Sequence, residues 1–101
     1  MKRYLFSSNG KYIASLVDGY MYNTSGENIA RYIDGEGIFA DRNGKYFGEI
    51  FGEYRLLRKI SLAQQDTDFG AYEGEDIAAG DDAPGDYGKI GDIAGFEDIP
   101  Q

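Results

Sequence analysis

Short runs of alternating apolar and polar residues, each closed by a glycine, fill the first sixty or so positions of the chain. Aligned on those glycines they give three copies of one unit. The copies are YLFSSNGKYIASLVDG (Tyr4 to Gly19), YMYNTSGENIARYIDG (Tyr20 to Gly35) and GIFADRNGKYFGEIFG (Gly37 to Gly52). The central glycines Gly10, Gly26 and Gly44 are spaced by 16 and 18 residues. Two strands of about six residues joined by two-residue turns account for a period of about 16 and leave no room for a helix. Asn9-Gly10 and Asn43-Gly44 predict type I′ hairpin turns, in which both central residues have positive φ. Asp18-Gly19 and Asp34-Gly35 supply the same chemistry at the unit ends. The pattern predicts an antiparallel meander.

The returning strands repeat a finer detail. Ile13 to Val17, Ile29 to Ile33 and Phe47 to Phe51 each carry a small residue (Ala14, Ala30, Gly48) followed by a polar one (Ser15, Arg31, Glu49). Neighbours in a strand point to opposite faces. The small residue is therefore expected at a crowded interior where strands of different units converge, and the polar one in water.

A fourth unit starts at Tyr54-Arg55-Leu56-Leu57-Arg58 but has no Asn-Gly turn. Ile90 to Gly95 matches Phe47 to Gly52 in its small, acidic and apolar positions, and would return this strand after a long insertion. A solvated tail over residues 63–101 is the other reading, and LLRKISLAQQ (residues 56–65) also fits helical spacing. The organisation expected is a hairpin-repeat domain over 1–62, an acidic Gly-rich loop or disordered segment over 63–86, and a returning strand with a tail over 87–101. The fold class is all-β, a pseudo-symmetric shallow barrel of three to four hairpin repeats.

These three units resemble the bacterial beta-flower family, in particular the 4-fold beta flower domain, over residues 3–59. The resemblance implies hairpin petals around a central axis and carries no reaction with it.

Charge divides the chain. Residues 1–62 hold nine Lys/Arg against seven Asp/Glu, a balance of +2, and residues 63–101 hold one lysine against eleven acids, a balance of −10. The acidic part is expected to fold back on the basic part as an internal competitor for an anionic partner. A tail of that charge weighs against nucleic-acid binding. No stretch is long and apolar enough to span a membrane, and MKRYLFSSNG is no secretory signal, so a cytoplasmic location is expected.

Cysteine and histidine are both absent. Thiol nucleophiles, thiolate zinc sites and the commonest general base go with them, which leaves Asp, Glu, Lys and Tyr for acid–base work. Glu27, Glu49 and Glu53 fall at turns or on the outer face. No catalytic residue, no cofactor and hence no enzyme activity is expected. The run Asp66, Asp68, Glu73, Glu75, Asp76, Asp81, Asp82 and Asp86 is rich in oxygen ligands but lacks calcium-loop spacing, and reads as a solvated linker rather than a metal site.

Two sets of binding residues stand out. Lys11, Arg42 and Lys45 fall at turn tips, with Arg55, Arg58 and Lys59 near the domain end. Together they suit an anionic lipid surface, a phosphorylated ligand or an acidic protein segment; lysines at turns also serve simply to keep edges soluble. Tyr4, Tyr20, Tyr22 and Tyr54 lie on outgoing strands and would either fill the core or line a cup for a sugar or peptide. The function expected is a noncatalytic binding or protein-interaction module. The alternative is a structural protein that self-associates into a homo-oligomer through an open edge.

Overall fold

The computed structural model describes residues 2–65, 67–77, 84–85, 87–91 and 93–100. Seven strands follow one another as a meander: β1 (Lys2–Phe6), β2 (Tyr12–Val17), β3 (Tyr20–Asn23), β4 (Asn28–Ile33), β5 (Ile38–Asp41), β6 (Tyr46–Phe51) and β7 (Arg55–Lys59). Each pairs antiparallel with the next, and β1 meets β7 in parallel at Phe6 and Arg55, closing a mixed seven-stranded barrel. The one helix among the described residues, α1 (Ile60–Ala63), is a single turn. Residues 55–59 thus take the strand option, because Leu56 and Leu57 are both buried between β6 and the closing seam. The short strand β8 (Phe96–Asp98) pairs antiparallel with the second half of β7, beyond the point where β1 touches it.

Strand β8 returns antiparallel on β7 and completes a fourth hairpin. The returning strand therefore lies at 96–98 and not at 90–95. Its register, Leu57 opposite Asp98, brings Ile99 level with Leu56. Asp98 holds the end of β1: its Oδ1 accepts from the Ser8 N–H (2.8 Å) and its Oδ2 from the Ser8 hydroxyl (2.7 Å).

The core reads as four petals around one axis. Leu5, Met21, Phe39 and Leu56 supply one large buried side chain each. Opposite them in register stand Ala14, Ala30 and Gly48, and in the fourth petal Ile99. The small residues face the interior as expected. Ile99 is the exception that fills the space, and a Cβ on Gly48 would stand 2.6 Å from Ile99 Cδ1 and 2.8 Å from the Leu57 carbonyl oxygen. Gly48 is bare because the fourth petal is not.

The turns differ from the type I′ expectation. Gly10, Gly26 and Gly44 have φ of +86°, +87° and +88°, but Asn9 and Asn43 do not share the left-handed region. Each loop spans three residues, closed at Ser7–Lys11, Asn23–Glu27 and Asp41–Lys45. The first residue decides this conformation. Asp41 Oδ1 accepts from the Asn43 and Lys45 N–H groups, Asn23 Oδ1 from those of Ser25 and Glu27, and Ser7 Oγ from that of Lys11. Such a side chain stabilises a type I turn, and only the glycine after it needs positive φ. Asp18-Gly19 does form the two-residue turn, with both residues at positive φ. Asp34-Gly35 instead belongs to a four-residue loop between Ile33 and Ile38, in which Gly35 and Gly37 take positive φ.

Each of the first three hairpins also contains a bulge at the same place. Ile13, Ile29 and Phe47 are the unpaired extra residues opposite Leu5/Phe6, Met21/Tyr22 and Phe39/Ala40. A bulge lets two consecutive residues turn inward, so Ile13 and Ala14 are both buried. The polar position after them is not simply in water: Ser15 is 2% exposed, because the residues paired to it on either side are Tyr4 and Tyr22.

Candidate functional site

Three of the concave features among the described residues bear on a ligand. The first lies on the axis, where the bulge residues Ile13, Ile29 and Phe47 line a cavity of about 320 Å³ with Leu56, Ile99 and Pro100. It is chiefly apolar, and Asn23 and Thr24 form its polar rim.

The second is an open groove of about 540 Å³ beside the closing seam. Strand β1 contributes Lys2, Arg3, Tyr4 and Phe6, the β6–β7 turn contributes Tyr54, and the acidic segment adds Pro84, Gly85 and Tyr87. Tyr87 stacks on Phe6 at 5.0 Å and contacts Tyr54 at 5.5 Å. Arg55 lies over the Tyr87 ring at 5.1 Å, and Lys2 lies 5.7 Å from the ring of Tyr4. Tyr54 remains 38% exposed, so its ring is open to a ligand. The third feature, of about 320 Å³, is lined by Tyr20 and Tyr22 with Glu73, Gly74 and Glu75.

The four tyrosines therefore do not share one cup. Tyr4 and Tyr54 line the seam groove, Tyr20 lies in the acidic groove, and Tyr22 is buried at 9% exposure. The reason is that successive outgoing strands stand in different petals, so equivalent positions are spread around the axis. The basic residues are divided as well. Lys11 and Arg42 are exposed at separate tips, and Lys45 forms a backbone bridge with Asp68. Arg55 is only 7% exposed and donates to the carbonyls of Ser7 (2.9 Å) and Gly88. Arg58 pairs with Glu97 at 2.5 Å, and Lys59 lies 5.8 Å from the Phe96 ring. Arg55 is thus committed to the seam and Arg58 to the pairing of β8 on β7.

The acidic segment does fold back, but its backbone does much of the work. It crosses the hairpin tips in the order third, second, first. Phe69 N–H donates to the Gly44 carbonyl (2.7 Å), Ile77 N–H to that of Gly26 (2.8 Å) and Tyr87 N–H to that of Gly10 (2.7 Å). Arg31, read from the sequence as a solvent-facing strand residue, donates to the carbonyls of Phe69 (2.9 Å) and Gly70 (3.3 Å) and lies over the Tyr72 ring. Tyr72 donates its hydroxyl to Asn28 Oδ1 at 2.6 Å, and Asp76 accepts from the Asn28 N–H at 2.8 Å. Arg31, Asn28, Tyr72 and Tyr87 were not legible as site residues. The signal that could have found them is an aspartate before a large apolar residue, repeated at Asp68-Phe69, Asp76-Ile77 and Asp86-Tyr87. Of the oxygen-rich run, Asp66, Asp81, Asp82 and Asp86 lie outside the described residues, as does Asp92 of the Ile90–Gly95 match.

Two phenols are perturbed. Burial raises Tyr72 above the ordinary phenol value, against the lowering effect of Arg42 and Arg31. Burial also drives Tyr46 well above that range; its hydroxyl accepts from the Lys59 N–H (2.7 Å) and donates to Glu49 (2.9 Å). A phenol with a raised folded pKa keeps its proton where the unfolded chain has lost it. Its stabilising contribution is complete below the unfolded value of 10.0 and is lost as pH rises from there through the folded value. Tyr46→Phe is expected to be less stable at neutral pH, having lost the Lys59 bond, yet to show a shallower fall above pH 10. Parallel alkaline limbs for variant and wild type in chemical denaturation would contradict this.

Among the described residues no helix is long and apolar enough to cross a membrane. No protein-family model matches the chain, and no curated protein and no solved structure is significantly similar to it.

Proposed function

We propose that this chain is a noncatalytic binding module. Its ligand is a ring compound bearing an anionic group, such as a phosphorylated sugar or polyol, free or as the headgroup of an anionic lipid. The observation that carries this reading is the seam groove, where Tyr4, Phe6, Tyr54 and Tyr87 adjoin Lys2 and Arg3. Aromatic faces take up a flat or apolar ring face, and the cations at the rim orient the anion. The acidic segment forms one wall through Pro84, Gly85 and Tyr87, so its position governs access. Membership of the beta-flower family is part of the same proposal, supported by the likeness over residues 3–59 and by four hairpins set about one axis.

Tyr54→Ala is the direct test, because Tyr54 is exposed and its loss leaves the core intact. Tyr20→Ala, 43% exposed in the other groove, is the control. Titration with inositol phosphate, and with phosphatidylcholine vesicles with and without phosphatidylinositol, separates a free ligand from a membrane headgroup. Binding is expected to fall about tenfold or more in Tyr54→Ala, to persist in Tyr20→Ala and to weaken with salt. Equal losses in the two variants, or no binding in either arm, would rule the groove out. Self-association is less favoured, since closure of β1 on β7 leaves it the outer edge of β8, which is only three residues long.

A further inference from the structure

The acidic segment carries a repeat of its own, matched to the hairpins it covers. Aspartate precedes Phe69, Ile77 and Tyr87, at spacings of 8 and 10 residues, and the N–H of each apolar residue meets the carbonyl of one turn glycine. The turns are shaped for that approach. Gly10, Gly26 and Gly44 are buried although they sit at hairpin tips. A Cβ on Gly44 would stand 2.5 Å from Asp68 Oδ1 and 2.7 Å from Gly70, and one on Gly10 would overlap the Tyr87 carbonyl. Around the second tip the site is most complete. Asn28 is buried; its N–H is met by Asp76, its Oδ1 by Tyr72, and its Nδ2 donates to the Met21 carbonyl. Arg31 beside it takes two backbone carbonyls of the segment.

We propose that the hairpin turns form a ring of equivalent docking sites for an extended acidic peptide with Asp–apolar dipeptides, and that residues 67–77 occupy two of these sites as a ligand carried in cis. The partner is a segment of another protein that displaces this one. Three features point to a peptide. Recognition at every tip is main chain to main chain, as in strand addition. The isolated bridge between Lys45 and Asp68 is a β-type contact. Arg31 reads consecutive carbonyls, which only a polypeptide supplies. The fit of the cis segment leaves something for a better ligand. Arg31 Nε is buried with no hydrogen-bond partner among the described residues, and Arg42 reaches the Gly74 carbonyl only at 3.5 Å. A partner peptide placing a carboxylate opposite Arg31 would satisfy the orphan donor and outcompete the resident segment. This inference does not depend on the seam groove.

The test removes the two donors from the full-length chain. Proline has no N–H, so Phe69→Pro with Ile77→Pro releases the segment from the Gly44 and Gly26 carbonyls. A fluorescent synthetic peptide of residues 67–77, TDFGAYEGEDI, is then titrated by anisotropy. The double variant is expected to bind it about tenfold or more tightly than the unmodified chain, and a peptide with proline at the same two places should not bind. Equal affinity for both chains overturns the proposal, as does an absence of binding to a variant that keeps its strand circular dichroism. Should the variant unfold, hydrogen exchange on the unmodified chain decides. The Phe69 and Ile77 amides should exchange about tenfold or more slowly than in the free peptide, and faster when excess peptide is added. Exchange at free-peptide rates, or rates indifferent to added peptide, overturns it.

Discussion

Replacing Gly10 by alanine is expected to destabilise the protein much more than the same change at Gly35. Both glycines have positive φ, +86° and +82°, so both variants carry the backbone strain of an L-residue in the left-handed region, about 1 kcal/mol. Around Gly35 nothing lies within 4 Å of the added methyl, so strain is the whole cost. At Gly10 the methyl would overlap the Tyr87 carbonyl oxygen, and the crossing segment must leave. With it go the Tyr87 N–H bond to Gly10, the stack of Tyr87 on Phe6, the Gly88 carbonyl that caps Arg55 and the Ile90 N–H bond to Ser8. Arg55 is then left buried with one end unpaired, which is costly for a charged donor. A total of about 3 kcal/mol is expected for Gly10→Ala. For a domain of this size each kcal/mol lowers the thermal midpoint by roughly 4–8 °C. Thermal unfolding of the two variants side by side measures the difference, and equal losses would mean that the segment does not dock on the first turn.

Ile99→Ala is the second large effect. Ile99 is 5% exposed and packs in the core cluster with Leu5, Met21, Phe39 and Leu56. Removing three of its carbons next to the axial cavity costs about 3 kcal/mol, within the usual span for buried aliphatic truncations. The loss also loosens β8, which has only three residues to hold it on β7. Gly48→Ala attacks the same contact from the other side. Its methyl would crowd Ile99 Cδ1 and the Leu57 carbonyl, an overpacking cost of about 1–3 kcal/mol. The double variant relieves one of the two clashes, so its destabilisation should be less than the sum of the single ones. Chemical denaturation of all four chains gives the coupling. Strict additivity would place Ile99 away from Gly48 and leave the fourth petal without its core residue.

Local chemistry explains what could be read without coordinates. A glycine every 16 to 18 residues, with an Asx or Ser residue opening each loop, fixes where the chain reverses. A strand alternates faces, so Ala14, Ala30 and Gly48 had to share an inward position once hairpins were accepted. The exact loop type was not legible, because Asn-Gly suits both a two-residue turn and a longer one. Ser7, Asn23 and Asp41 decide between them through side-chain bonds that span four residues.

The candidate site was far less legible. Tyr4 and Tyr54 are 50 positions apart and line one groove only because β1 closes on β7, while Tyr20 and Tyr22 are carried to another petal. Arg31 shows no pattern of its own; its role appears when Phe69, Gly70 and Tyr72 arrive from the far end of the chain.

By itself, then, the sequence determined the first three hairpins, the positions of their turns and the small residues that let them converge. All of these are set by φ preferences and by side-chain alternation within a few residues. Tertiary structure alone decided the inward bulges at Ile13, Ile29 and Phe47, the seam between β1 and β7, the return of the fourth hairpin at residues 96–98 and the path of the acidic segment across the tips. The physical reason is that these contacts are made largely by backbone amides and carbonyls, which every residue but proline carries alike, so side-chain identity marks them only faintly.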